Sequence, residues 1–516
     1  MRFVALVVIS VLPLLAQSPG ANWPNYNGDY SGRRHSPLKQ INATNVDRLE
    51  PVWKFKIEPG KGTLGNTDIK STPVMVGGVL YFTISDNAWA VNAKTGKQIW
   101  HFHWPTKGGI HIGNRGVAVS RGRVYFETPD NYLVCLNAVT GKKLWDVEIA
   151  DVKQEYFSTA APMIVKNHVI VGVGGDSLDV PGYLEARNPV NGKLQWRWNT
   201  TPRPGQPGAE TWPSKSSMEH GGGMTWMPGT YDPQLNLYYL GTGNPNPVHA
   251  PQSRLGDNLW TCSIVALNAD TGKLVWYYQV SPHDTHDWDA VQTPVLIDAE
   301  VRGQKRKLLA QASRNGYYFL LDRTTGEHIV TAPFVKLNWS KGLNTKGQPI
   351  PDPAKEPKTD GVLVSPGGGG GPNWFAPAFN PETGLLYVNA AESASIFYLT
   401  DTDENPQGYG GREAVQLARA WLKAIDYRTG QVRWSHQFPG RLPITAGILS
   451  TAGNLLFTGD ISQNLIAFDP AQGNILWHAN LGAAVTNGPI TYQMAGRQYL
   501  VAGAGETLHA FALSVQ

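Results

Sequence analysis

Cysteine is nearly absent from this chain. Cys135 and Cys262 are the only two, each inside an apolar, strand-like run (NYLVCLNA and WTCSIVALNA). Two buried free thiols are therefore expected rather than a bridge, and no C-x-x-C-H stands anywhere to attach a haem covalently. Charge is scarce as well: Asp, Glu, Lys and Arg make up 16% of the residues, the net is +4, and no basic run reaches five. Nucleic acid is thereby excluded as an expected partner. Long apolar runs are missing beyond the N-terminus. The run from Phe3 to Ala16 follows Arg2, contains Pro13 and is short for a membrane span. It reads as a secretory leader over residues 1–21, cleaved after Ala16 or Ala21. The expectation is an exported protein, periplasmic or secreted, that meets a membrane only if this segment is retained. Residues 22–516 are expected to form one large repeat-built domain.

Glycine (56), tyrosine (20) and tryptophan (18) are plentiful. They fall into a recurring phrase: small or apolar residues, Asn or Asp, a Gly, then Trp. It reads AVNAKTGKQIW to Trp100, CLNAVTGKKLW to Trp145, EARNPVNGKLQW to Trp196 and ALNADTGKLVW to Trp276. It returns as AIDYRTGQVRW to Trp434 and AFDPAQGNILW to Trp477, while LLDRTTGEHIV ends at Val330 with the Trp replaced. Such a phrase is a β-hairpin: Asn or Asp and Gly make the turn, and the Trp buries its face on the neighbouring repeat. Trp53, Trp100 and Trp145 are separated by 47 and 45 residues, Trp434 and Trp477 by 43. That is the length of one four-stranded propeller blade. Counting Trp53 gives eight units. The chain is thus expected to be all-β, an eight-bladed propeller with tryptophan-docking repeats. Its last blade closes by pairing the C-terminal LHAFAL with N-terminal strands, which removes exposed edges. Loop-rich insertions at 201–223, 341–371 and 400–411 are expected to cover one face.

The densest polar stretch is SPHDTHDWD, Ser281 to Asp289, with Asp284, Asp287, Asp289, His283 and His286 in nine residues. It follows the strand-like Leu274 to Val280, where a rigid scaffold would present a site. Asp, His and Ser also build ordinary turns. A single arginine is ordinarily a surface group, and a tryptophan in such a chain ordinarily core. What favours function is that Arg115, Trp226, Asn244, Arg314, Asn373 and Trp374 all stand in comparable loops, one or two per blade, that an eight-fold array would bring to its axis.

Several long motifs then make the sequence similar to the quinoprotein alcohol dehydrogenases, exported eight-bladed propellers that use pyrroloquinoline quinone (PQQ). They are GYLEARNPVNGKLQWRW, GGGMTW, LGTGNPNP, PHDTHDWDA, RNGYYFLLDRTTGE, GGPNWFAPAFNPETGLLYV and TAGNLLFTGD, in order and spanning nearly the whole mature chain. The resemblance implies that Trp226 stacks on the quinone, that Arg115 meets the cofactor's carboxylates, and that Thr159, Asn373 and Trp374 add contacts. It implies Asp287 as catalytic base and Arg314 beside the quinone oxygens. Asn244, Asp287 and Asp289 would hold a cation, Ca²⁺ or a lanthanide, Asp289 matching the extra acid of lanthanide-using members. The family's metal-binding Glu aligns with Ser177, flanked by Asp176 and Asp179; a cofactor-contacting Glu aligns with Lys70. The family's adjacent cysteines align near Gly109 and Ile110, and His286 stands where the family has Trp.

The implied function is oxidation of an alcohol or related hydroxyl compound, with electrons passed to a separate carrier such as a cytochrome c. Two other readings stay open. One is a non-catalytic propeller scaffold that has lost part of the metal site. The other is a metallohydrolase with His283 and His286 as ligands, although hydrogen-bonded structural roles suit those imidazoles better.

Overall fold

The computed structural model describes residues 20–400, 407–440 and 446–514. The expected leader, apart from its last two residues, lies outside them. Among the described residues, eight four- or five-stranded sheets, antiparallel but for one added strand, follow one another along the chain, beside a two-stranded ribbon at Ser340–Leu343 and Pro349–Pro351. Blade one runs from Val74–Val76 to Gln98–His103, blade two from Ala118–Ser120 to Lys143–Glu148, and blade three from Met163–Val165 to Leu194–Asn199. Blades four and five end in Leu274–Gln279 and His328–Pro333, blades six and seven in Val432–Gln437 and Ile475–Asn480. Blade eight joins the last three strands, Ile490–Met494, Arg497–Ala504 and Thr507–Leu513, to Leu49–Lys56. The expected closure is therefore what the chain adopts.

First strands of neighbouring blades touch one another, which sets them around the axis and the fourth strands at the rim. Each repeat Trp lies on a fourth strand of its own blade, as expected: Trp53, Trp100, Trp145, Trp196, Trp276, Trp434 and Trp477. The physical reason for the repeated Gly is visible at Gly96. It adopts φ +70°, and a Cβ there would sit 2.7 Å from the Trp53 ring of the preceding blade. A side chain would both strain the turn and lift it off the indole. Asn92 caps that turn by accepting from the backbone of Lys94 and Thr95. The indole N–H completes the dock, as in Trp100 to Ala138 O (2.9 Å) and Trp196 to Ala269 O (3.0 Å). Where Val330 replaces Trp, a Cβ on Gly430 of the next repeat would meet Ala332, Tyr318 and Val330 rather than an indole.

The N-terminal segment is tied in by a buried cation without a carboxylate. Arg34 is fully buried and donates to Tyr26 O (2.7 Å), Ile448 O (2.8 Å) and Pro489 O (2.7 Å). It thereby fixes the segment that carries Tyr26 to blades seven and eight, and strand His35–Ser36 adds in parallel to Leu449–Thr451. Cys135 and Cys262 are buried and free, as expected.

Candidate active site

A cavity of about 290 Å³ collects residues from loops of five consecutive blades, Tyr409 of the 400–411 insertion among them. Arg115, Thr159, Trp226, Asp287, Asp289, Arg314, Asn373 and Trp374 line it, together with Ile112, Phe157, Asp176 and Tyr409. On one side, the Arg115 guanidinium lies between two indoles, 4.6 Å from the Trp226 ring centre and 4.7 Å from that of Trp374. Stacking orients the cation without neutralising it. Its Nη1 and backbone N–H both donate to Thr159 O, at 3.2 and 3.0 Å. Burial lowers the Arg115 pKa to about 10, and Tyr26 and Glu127 oppose that shift.

The opposite side is acidic. The 281–289 loop is held from below by buried Arg254, which donates to Pro247 O, Val248 O and Asp284 O, each at 2.7 Å. Asp284 Oδ2 accepts the Trp288 N–H (3.1 Å) and curls the loop tightly. Asp287 consequently sits at φ +66°, a left-handed conformation costly for a residue with a Cβ, and projects into the cavity. Arg314 bridges Asp287 (Nη2 to Oδ2, 2.9 Å) and Asp289 (Nη1 to Oδ2, 2.6 Å), while its Nε donates to Gly368 O at 2.8 Å. The glycine run explains itself here: a Cβ on Gly370, at φ +80°, would collide with the Arg314 side chain. Asn244 N–H fixes the other Asp289 oxygen (2.7 Å).

Burial raises the pKa of every acid in this group. Asp287 lies well above the usual carboxylate range, pulled back by Arg314 and pushed further by Asp289 and Asp176. Asp289 is raised by burial and lowered by Arg314 and the Asn244 N–H. Asp176 reaches about 7 through burial and the neighbouring Asp289. The Tyr409 phenol is raised chiefly by Asp287, then by burial.

The cavity thus unites most of the residues singled out in the sequence, with two differences. Ser177 is exposed and outside the cavity; Asp176, one residue earlier, lines it with a buried Oδ1 that has no hydrogen-bond partner among the described residues. Asn244 is buried behind Asp289, which it meets through its backbone, while its side-chain amide donates to Pro245 O and Asn246 Oδ1. Lys70 donates to Ile112 O (2.5 Å) at the cavity's edge. Asp176 and Tyr409 carried no motif of their own, and Tyr409 arrives from a distant insertion pinned by Gly408 N–H to Asp179 Oδ1 (2.8 Å). His283 and His286 bond the Gly256 and Lys355 carbonyls at 2.7 and 2.8 Å, and the His286 ring lies 4.4 Å from that of Trp288. Both therefore serve the loop's structure. Among the described residues no three His, Cys, Asp or Glu side chains gather into a metal cage by themselves.

Residues 23–354 match the family model described as the β-propeller domain of glucose, ethanol and alcohol dehydrogenases. The quinoprotein alcohol dehydrogenase PedH of Pseudomonas putida is 36% identical over 504 residues, covering 91% of this chain and 83% of its own. The chain belongs to the PQQ-dependent alcohol dehydrogenase family. The quinohemoprotein alcohol dehydrogenase of Comamonas testosteroni is 35% identical, with 94% of this chain and 72% of that one aligned. Its solved structure superposes with a TM-score of 0.88, covering 96% of this chain and 81% of that one at 32% identity. A europium-containing methanol dehydrogenase superposes with a TM-score of 0.84 over 96% and 98% of the two chains, at 29% identity. Residues 418–514 also match the model of the outer membrane protein assembly factor BamB. The solved BamB of Moraxella catarrhalis, at 15% identity, shares the fold alone.

The cavity's chemistry fits the family's cofactor. A flat polyanion needs aromatic faces and a cation, which Trp226, Trp374 and Arg115 provide. Three buried polar atoms lining the cavity lack partners among the described residues: Arg115 Nε, Thr159 Oγ1 and Asp176 Oδ1. A ligand rich in oxygen satisfies such groups. A hard cation would find carboxylate oxygens in Asp176 and Asp289, with the cofactor's own oxygens needed to complete its shell.

Proposed function

We propose that this protein is an exported dehydrogenase that oxidises an alcohol with bound PQQ and a hard cation, Ca²⁺ or a lanthanide. Its electrons leave to a separate one-electron carrier such as a cytochrome c. The carrying observation is the pairing of Arg314 with Asp287 and Asp289 in a cavity that also holds a sandwiched Arg115. A scaffold requires none of these buried charges. A relative from Thauera butanivorans, 30% identical over 97% of this chain, is named 1-butanol dehydrogenase (cytochrome c), which supports both substrate class and acceptor.

When bound, PQQ would supply an electrophilic quinone carbon as the hydride acceptor, and a hard cation beside it would strengthen that character as a Lewis acid. Arg115, Thr159, Asn373 and Trp374 would orient the ring system on Trp226. Asp287 takes the hydroxyl proton at a carboxylate oxygen. Its raised affinity for protons makes it a stronger base than an exposed Asp. Arg314 keeps that carboxylate available by offsetting the neighbouring negative charge. Asp176 and Asp289 would hold the cation, Asn244 setting the orientation of Asp289. Exclusion of water falls to Ile112, Phe157 and Tyr409 at the cavity walls.

The decisive assay reconstitutes the purified protein with PQQ and Ca²⁺ or La³⁺ and follows dye reduction by short alcohols. Activity that disappears in Asp287→Asn while PQQ still binds is the expected result. Stoichiometric PQQ binding without dye reduction on any alcohol would favour the scaffold.

A further inference from the structure

The glycine run Gly367–Gly371 stands between Arg314 and a second chamber of about 300 Å³. On the Arg314 side, Nε of that arginine donates to Gly368 O at 2.8 Å, and the Gly371 N–H donates to Arg314 O at 2.9 Å. On the other side, four of the five glycines line the chamber together with Ser393, Glu413 and Val415. These three come from the paired strands Leu385–Leu399 and Gly411–Asp426 of blade six, the hairpin that also brings Tyr409 to the cofactor cavity. On that side the run is therefore backed by open space rather than by packed side chains. Glycine has more conformational freedom than any other residue, so the position of the run is left to hydrogen bonds.

The two ends of the run are tied. Trp288 Nε1 donates to Gly367 O at 3.1 Å, the Gly367 N–H donates to Ser393 Oγ at 3.0 Å, and the Ala391 N–H donates to Gly371 O at 2.6 Å. Gly368, whose carbonyl meets Arg314, gives its own N–H to Glu413 Oε1 at 2.8 Å. The carboxylate lies close along this glycine: a Cβ there would come 2.6 Å from Glu413 Oε2 and 3.2 Å from its Cδ. Direct contacts thus run from Glu413 to Gly368, from Gly368 O to Arg314 Nε, and from Arg314 to Asp287 at 2.9 Å and Asp289 at 2.6 Å.

We propose that Glu413 is a positioning residue for the reaction, holding Gly368 so that its carbonyl aims Arg314 at Asp287 and Asp289. Its effect on turnover rests on the dehydrogenase reading above; the clamp on Gly368 does not. A guanidinium carries its donors in a rigid planar fork. With Nε anchored on a carbonyl, Nη1 and Nη2 are directed at the two carboxylates together. Once Gly368 is released, Nε loses its anchor and the plane can turn away from Asp287. A hydrogen bond to an ionised carboxylate is among the stronger single contacts open to a backbone N–H. Glu413 is itself exposed, so truncating it leaves no void in the core.

The test compares full-length wild type with Glu413→Ala and with Glu413→Gln, which keeps an oxygen acceptor and loses the charge. In the cofactor-free protein, amide hydrogen exchange read by mass spectrometry across residues 366–372 should show one additional fast amide in Glu413→Ala and the wild-type pattern in Glu413→Gln. With PQQ and Ca²⁺ bound, kcat on a short alcohol should fall about tenfold in Glu413→Ala with KM nearly unchanged, as expected when a catalytic group is displaced by a fraction of an ångström. Glu413→Gln should recover most of that loss. Unchanged exchange in Glu413→Ala, a loss confined to KM, or equal losses in both variants overturns the proposal. Faster exchange with wild-type turnover in Glu413→Ala removes the positioning role and leaves a structural contact. If titration shows no PQQ binding to wild type, the dehydrogenase reading falls and the role in turnover with it, while exchange at Gly368 still decides the clamp.

Discussion

Arg314 and Asp287 form a buried ion pair at 2.9 Å, and the same guanidinium reaches Asp289 at 2.6 Å. One arginine thus holds together two carboxylates that would otherwise repel, and it occupies the space between them. Both acids line the cavity and both are held by Arg314, and Asp289 is held in addition by the Asn244 N–H.

Removing that cation strands buried negative charge. Arg314→Gln should lower the free energy of unfolding by about 3–5 kcal/mol at neutral pH, the usual cost of breaking a buried pair. Urea denaturation of the cofactor-free protein measures it. A midpoint equal to wild type would mean that the pair contributes nothing.

Cation binding should depend on Asp176 and not on Ser177. Asp176→Asn removes a cavity carboxylate, so affinity for La³⁺ in the presence of PQQ should fall at least tenfold, or about 1.4 kcal/mol. Ser177→Ala, and equally Ser177→Glu, should leave calorimetric titrations unchanged because that side chain is exposed outside the cavity. A stronger Ca²⁺ response in Ser177→Glu would show that the loop rearranges around the ion.

Trp226 should matter to the cofactor more than to the fold, since it is only partly buried without ligand. Trp226→Ala is expected to cost about 1–3 kcal/mol of PQQ affinity through lost stacking and burial. Fluorescence or absorbance titration reports it directly, and unchanged affinity would take Trp226 out of the site.

The blade closure should be sensitive to acid. His509, opposite Lys54 in the strand pair that closes the ring, is buried with a pKa lowered to about 4 by burial and then by Lys54. An unfolded histidine titrates near 6.5, so between about pH 6.5 and 4 the unfolded chain binds the extra proton. Stability from this site is full above that window and is lost as pH falls through it. His509→Gln should therefore show a shallower decline of the urea midpoint from pH 7 to 4.5 than wild type. Parallel declines would refute the assignment.

The sequence by itself determined the architecture, because each blade carries a local rule. A glycine at positive φ must follow a capping Asn or Asp, and the Trp on the next strand must find a flat neighbour, so seven phrases and Trp53 count the blades directly. Arg115, Trp226, Asp287, Asp289 and Arg314 were legible as candidates from the motifs that flank them, and they line one cavity. Tertiary structure alone decided which acid near Ser177 faces the cavity. A loop residue's direction depends on backbone dihedrals and on partners such as Asp179, whose carboxylate holds Gly408, over two hundred residues away. It also decided that Tyr409 and Asp176 join Asp287 in one cavity. No local pattern encodes either, since each is brought to the site only when separate blades close into one ring.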